Sequence, residues 1–175
     1  MKKWWAKQKQ DGFTIVELLI VIVVIGILAA ITIVAFNGVQ NRAYDTTVQS
    51  DLTSMYKKIA LFETENGKMP KNSTDFNSMG LKLSKSSYSR GMNNGTSWYN
   101  VLFCWPNATN PYKFAVVAQS KSGNVFQAVN GGTTQAPYAL EGSYSTCASV
   151  GVPMDTGSER TWFYDSDTWQ SYIGG

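Results

Sequence analysis

Two hydrophobic patterns follow one another in the first third of the chain. From Leu18 to Phe36 every position is apolar except Gly26 and Thr32, and no Asp, Glu, Lys or Arg stands between Leu18 and Asn41. About 20 such residues cross a hydrocarbon core of roughly 30 Å as a helix. Beyond Phe36 the apolar positions thin to a stripe: Tyr44, Val48, Leu52, Met55, Ile59 and Phe62 recur at steps of 4, 4, 3, 4 and 3. That spacing is one face of an amphipathic helix. Arg42, Asp45, Gln49, Lys57 and Glu63 lie mostly off it. Asn66-Gly67 gives a stop and Pro70 prevents a restart. The pattern predicts one helix from about Ile15 to Thr64, about 75 Å long at 1.5 Å per residue. The alternative is two helices broken near Asn37-Gly38. An all-round apolar first half belongs in lipid or inside an assembly. A one-sided second half belongs against a folded head.

The remaining chain reads as that head. Lys71 to Ser97 is rich in Ser, Asn, Gly and Lys and predicts loop with one short helix. Strand signals follow at Trp98 to Trp105, Tyr112 to Gln119 and Asn124 to Val129. In the second, Tyr112, Phe114, Val116 and Ala118 alternate with Lys113 and Gln119, and Ser120-Lys121-Ser122-Gly123 reads as a hairpin turn. The tail is richer in turns, with a last aromatic cluster at Trp162, Phe163, Tyr164, Trp169 and Tyr172. The expected class is α+β: a long N-terminal helix packed on a small antiparallel sheet. No internal repeat is visible.

Composition narrows the chemistry. The 175 residues contain no His and two Cys. Ser-His-Asp and Cys-His dyads are excluded, as are zinc sites containing His, and two thiols cannot make a four-thiolate site. No catalytic set, metal site or cofactor is expected. A formal charge of +3 is too weak for a nucleic-acid binder. That excess is local: Lys2, Lys3, Lys7 and Lys9 against Asp11 give 4 − 1 = +3, leaving 11 − 11 = 0 for residues 13–175. The lysines should stay cytoplasmic, with the carboxyl end outside. A secretory signal peptide would have a shorter apolar region followed by a small-residue cleavage site; here Gly12 precedes the run.

Glu17 is the anomaly, four residues into the apolar block that starts at Phe13. A carboxylate at a membrane helix centre costs roughly 2.5–3.5 kcal/mol on insertion scales, less near the interface. Either it reaches the headgroups, or it needs a cationic partner. The segment Gly12-Phe13-Thr14-Ile15-Val16-Glu17-Leu18-Leu19-Ile20-Val21-Ile22, continued by Gly26-Ile27-Leu28-Ala29-Ala30-Ile31, resembles the prepilin signature of type IV pilins and type II secretion pseudopilins. The likeness is close over roughly residues 10 to 36. Asn66-Gly67-Lys68-Met69-Pro70 also looks like that family's helix end, with Met where an aromatic is common. Two departures stand out: a 12-residue leader carrying Trp4 and Trp5, and no proline before Pro70. Gly26 is then the one weak point of the apolar helix, at about 1 kcal/mol of propensity.

The resemblance implies a division into leader (1–12), membrane or filament-core half of the helix (13–36), amphipathic half (37–66) and head (67–175). It implies cleavage between Gly12 and Phe13 by a membrane aspartyl prepilin peptidase, N-methylation of Phe13, and packing of mature subunits into a helical filament with an assembly platform as partner. Physical chemistry agrees: Gly12 lets the backbone enter a tight site. Cleavage removes the lysines and creates a cation at Phe13. A second subunit's Glu17 can pair with that cation, relieving a penalty of several kcal/mol.

Cys104 and Cys147 fit one disulfide in an extracytoplasmic head, closing a loop worth ~4 kcal/mol; two buried thiols are the alternative. Asp165-Ser166-Asp167 offers two carboxylates to calcium, which wants six to eight ligands; a solvated turn is the other reading. The 23 aromatics include candidates for a sugar-binding or adhesive platform, against their use as core. Asn72, Asn94 and Asn107 stand in N-x-[ST] triplets from which no glycan is inferred. The reading is a structural subunit of a type IV pilus-like filament. The alternatives are a minor pilin or pseudopilin and, more distantly, a membrane-anchored binding protein that never polymerises.

Overall fold

The computed structural model describes residues 12–105, 114–152 and 159–174. The chain divides into two compact units, residues 1–39 and 40–175. Helix α1 runs without interruption over Ile15–Asn66, through Gly26 and Asn37-Gly38. In residues 13–39 every side chain is exposed. In the second unit α1 buries Val48, Leu52, Met55, Ile59 and Phe62, five of the six stripe positions, while Tyr44 is half-buried.

The polar stretch after Pro70 contains helix α2 (Ser73–Ser78), a single 3-10 turn (Lys85–Ser87) and the two-residue strand β1 (Met92–Asn93). Asn72 caps α2, its Oδ1 accepting from the Asp75 N–H at 2.9 Å. The strands that follow are β2 (Trp98–Trp105), β3 (Ala115–Gln119), β4 (Val125–Val129), β5 (Gly132–Gln135), β6 (Glu159–Asp165) and β7 (Thr168–Trp169). They form one antiparallel sheet in the order β5-β4-β3-β2-β6-β7, with β1 also paired to β2. Helix α3 (Ser143–Ser149) lies between β5 and β6 in the chain. The expected α+β class, long helix on small antiparallel sheet, is the fold observed.

Three details differ from the sequence pattern. Strand β3 begins at Ala115; Tyr112 and Lys113 lie outside the described residues. Its residues do not alternate buried and exposed: Ala115 to Ala118 are all buried, because the middle of the sheet is covered on both sides. Phe114, Val116 and Ala118 join the cluster under α1, with Val101, Phe103, Phe126 and Phe163. Ala115 and Val117 join a second cluster with Leu102, Cys104, Val125, Leu140 and Cys147. Finally, the tail, expected to be richer in turns, contains the three strands β5, β6 and β7 and the helix α3.

Polar bonds fasten the sheet to α1. Asp45 accepts from Ser122 Oγ through Oδ1 and from Asn124 Nδ2 through Oδ2, at 2.8 Å for the latter, so one carboxylate holds the β3–β4 turn. Lys121, at the tip of that turn, lies 5.3 Å over the Tyr44 ring. Farther along, Thr53 Oγ1 meets Thr133 Oγ1 of β5 at 2.8 Å.

Strand β2 is locally distorted at Val101, whose φ of 55° is uncommon for a β-branched residue, while its register with β6 is the same on either side. The fully buried Asn100 side chain secures the distortion. Its Oδ1 accepts from the N–H groups of Val101 and Gln119, both at 2.8 Å, and its Nδ2 donates to the carbonyls of Ser89 and Gln119, both at 2.9 Å. The carboxamide thus stands where a strand peptide would pair with Gln119. Gly91 is required beside it, since a Cβ there would meet the Tyr99 carbonyl oxygen at 2.2 Å.

Candidate processing and assembly site

The first turn of α1 sets the geometry at Glu17. Thr14 directly precedes the helix and Glu17 is its third residue, the spacing of a capping box. The Glu17 N–H donates to Thr14 Oγ1 at 3.2 Å. In return Glu17 Oε2 accepts from the Thr14 N–H at 2.8 Å and from Thr14 Oγ1 at 2.7 Å. Two donors that the first helical turn leaves without partners are thereby satisfied locally. Both bonds to the carboxylate fall on Oε2, so Oε1 keeps its lone pairs for a further donor. Gly12 and Phe13 lead into this cap, Phe13 at 87% exposure, and no atom lies within 4 Å of where a Gly12 Cβ would be. Residues 1–11 lie outside the described residues.

Thr14 has no role assigned in the sequence reading, although T-x-x-E at a helix start is a readable signal. The cap changes the chemistry of the acidic residue. An unpaired carboxylate in lipid is expensive, but here it enters the apolar stretch already accepting two hydrogen bonds. It stands about one turn from the Phe13 nitrogen.

The other candidate residues fall elsewhere. Cys104 on β2 and Cys147 on α3 are bridged, with Cα atoms 5.6 Å apart. The bridge ties α3 to the sheet face opposite α1. Asp165 and Asp167 flank the β6–β7 turn, where Ser166 Oγ donates to Asp165 Oδ1 at 2.8 Å and Ser166 and Asp167 both take positive φ. No group of three or more His, Cys, Asp or Glu side chains able to hold a metal occurs among the described residues. The aromatics are spent largely on packing: Phe103, fully buried, contacts the rings of Phe76, Trp105, Phe114 and Phe163. Asn94 accepts from the N–H groups of Thr96 and Ser97 in a tight turn; Asn107 lies outside the described residues.

Asp75 and Tyr88 are among the titrating groups in the head that depart from ordinary behaviour. Asp75 is held below the usual carboxylate range by the Lys71 N–H at 3.0 Å, aided by Lys68 Nζ at 3.1 Å and opposed by partial burial. Tyr88 is pushed well above the usual phenol range, first by burial, then by the Asp51 carboxylate that accepts its hydroxyl at 3.1 Å.

The prokaryotic N-terminal methylation motif matches residues 7–33. The type IV wide pilus major component PilA4 of Thermus thermophilus is 39% identical over 71 residues, 41% of this chain and 54% of that protein. The type IV major alpha-pilin of Moraxella bovis is 39% identical over 84 residues, 45% of this chain and 51% of that one. The type II secretion system core protein G of Klebsiella michiganensis is 31% identical over 64 residues, 37% of this chain and 45% of that protein. The chain spans about half the length of the curated relatives it matches. No solved structure gives a significant match. With an exposed apolar helix that opens on the capped Glu17 and continues onto a small antiparallel sheet, the chain accordingly carries the prokaryotic N-terminal methylation motif and is similar over part of its length to type IV pilins and to a type II secretion core protein.

Proposed function

We propose that the chain is the structural subunit of a type IV pilus-like surface filament. On this reading residues 1–12 are a leader that prepilin peptidase removes at Gly12-Phe13, and Phe13 is then N-methylated. Residues 13–36 cross the membrane once, head outside, and later form the filament core. Residues 37–66 carry the head, residues 67–175. The chain does no chemistry of its own and is itself the substrate of processing. Its partners are the peptidase, the assembly platform and other copies of itself.

The observation that carries the reading is Glu17, an acid in the first turn of a helix whose large apolar side chains are all exposed through Val39. A free amino group at Phe13 of a neighbour would give it a cationic partner, and exists only after cleavage. The methylation motif over residues 7–33 and the pilus components among the relatives support it. A second reading, a type II secretion pseudopilin, is favoured by the similarity to core protein G.

The test is intact-mass analysis and electron microscopy of sheared surface material, with Glu17→Gln alongside. Expected are fibres of chains that begin at Phe13, abundant in the wild type and lost in Glu17→Gln, whose membrane insertion and cleavage persist. Fibres retaining Met1 to Gly12, or full fibre yield from Glu17→Gln, overturn the mechanism. Short periplasmic fibres that appear only with secretion machinery favour the pseudopilin reading.

A further inference from the structure

Among the described residues the head has one ion pair, Lys68 with Asp75. Charges without such a partner gather in two places. Where residues 82–86 run past α1 they leave a hollow of about 540 Å³, lined by Lys82, Lys85, Ser84, Ser86 and Asp51 among others. A smaller hollow of about 230 Å³ shares Asp51 and Lys82 with it and adds Lys58. None of the three lysines forms an ion pair with Asp51, whose Oδ2 accepts from the Ser84 N–H at 2.7 Å and the Tyr88 hydroxyl at 3.1 Å. Lys58 gives one of its three donors to the Gly80 carbonyl. The ammonium groups of Lys82 and Lys85 have no hydrogen-bond or ion-pair partner among the described residues. The acidic counterpart is the two-residue turn between β6 and β7. Ser166 and Asp167 both take positive φ, 50° and 65°, the twist that a tight hairpin requires. Asp167 is exposed at the tip, and its carboxylate has no partner among the described residues. Asp165 closes the turn with Oδ1 accepting from Ser166 Oγ, which leaves Oδ2 open.

We propose that the β6–β7 turn of one copy enters the lysine-lined hollow of the next. Lys82 borders both hollows and so stands at their junction; Asp167, at the tip of the turn, meets it there, and Asp165 meets Lys85. Resting on the filament reading given above, this assigns the head its own contact between subunits. Charge balance argues for a second copy as the occupant. Residues 13–175 sum to zero, so cations and anions left unpaired within one chain can be matched from copy to copy. Exposed pairs of this kind add little affinity. Their contribution is to fix the register between neighbours and to reject wrong ones, since like charges brought together are costly. Because the two surfaces differ, the contact is heterologous when each is used once per copy. Repeated, it propagates as an open helix unless the rotation closes a ring.

The test uses the full chain, expressed with its own assembly machinery. Lys82→Glu and Asp167→Lys, both at exposed positions, should each lower the yield of sheared fibres about tenfold, because each sets like charges face to face. The chain carrying both should recover most of the yield, since opposite charges then face again. Asp167→Asn keeps the turn, as Asn tolerates positive φ, and should lower the yield less than Asp167→Lys. In parallel, wild-type fibres assembled from a mixture of light and heavy-isotope chains are treated with a carbodiimide, which joins carboxylates to lysines in contact. The expected adduct links Asp165 or Asp167 of one copy to Lys58, Lys82 or Lys85 of another. Wild-type fibres whose adducts join that turn only to other lysines or only within one copy, or full yield from both single reversals, overturn the contact and leave the filament reading standing. A double variant that melts at the wild-type temperature yet makes no more fibres than the single ones does the same. If the wild type makes no fibres, the filament reading falls and the contact with it.

Discussion

Along residues 15–39 of α1 the large apolar side chains are 47–84% exposed, whereas Val48, Leu52, Met55 and Ile59 of the same helix are at most 2% exposed. Backbone geometry does not distinguish the two halves, since α1 is continuous through both. The difference lies in what the chain can place over them. An all-round apolar surface would need cover from every side, which a head of this size does not supply. A stripe needs one partner surface, and the sheet provides it. The first half is left exposed, while the second is covered by its own chain.

The sharpest way to break this comparison is to remove core volume from each half. Leu52→Ala should destabilise the head by about 2–5 kcal/mol, the range for buried large-to-small changes, while Ile27→Ala should leave its unfolding midpoint unchanged. Equal shifts in denaturant unfolding of the full chain in detergent would erase the distinction. A similar loss, roughly 2–5 kcal/mol, is expected when Cys104 and Cys147 are both replaced by Ser, because α3 then loses its covalent tie to the far face of the sheet. Full retention of the melting temperature would show that this face holds without it.

Smaller effects sharpen the picture. Asp45→Ala leaves Ser122 and Asn124 without their acceptor and should cost about 1–3 kcal/mol, read by thermal unfolding. Thr14→Ala removes the cap of the apolar half; about 1 kcal/mol of local helix stability should vanish. Hydrogen exchange should then speed up over residues 15–18 without any change in the head. The smallest effect is the pH dependence from Asp75. Its folded value lies below its unfolded one, so its contribution is full above the ordinary carboxylate range and disappears as pH falls through the folded value. Below about pH 4 the unfolding midpoint should therefore drop less in Asp75→Asn than in the wild type.

Most of this organisation was legible from periodicity. The stripe from Val48 to Phe62 names the buried face of α1, and Trp98 to Trp105 coincides with β2. What escaped had weak local signals. Strand β5 is Gly-Thr-Thr-Gln, with almost no apolar side chains to betray a face; its clue is the Asn130-Gly131 turn, where both residues take positive φ. Helix α3 is Ser-Tyr-Ser-Thr-Cys-Ala-Ser, a poor helix former whose place depends on Cys147 and on Thr146, bonded to the Glu141 backbone at both ends. At the candidate site Glu17 was conspicuous by charge. Thr14 was not, because its role exists only in relation to the helix start.

Asn100 also bears on how the head reaches its fold. A strand flanked by apolar residues on both faces, as β2 is, could slide by two positions and still bury similar side chains. The carboxamide makes such a slide detectable. Only one alignment brings its oxygen to two N–H groups and its nitrogen to two carbonyls at once. In any other it keeps at most the neighbouring Val101 N–H and loses its bonds to Ser89 and Gln119, at a cost of about 1–3 kcal/mol. The side chain acts as a check on strand alignment, rejecting near-miss pairings that hydrophobic burial alone would accept.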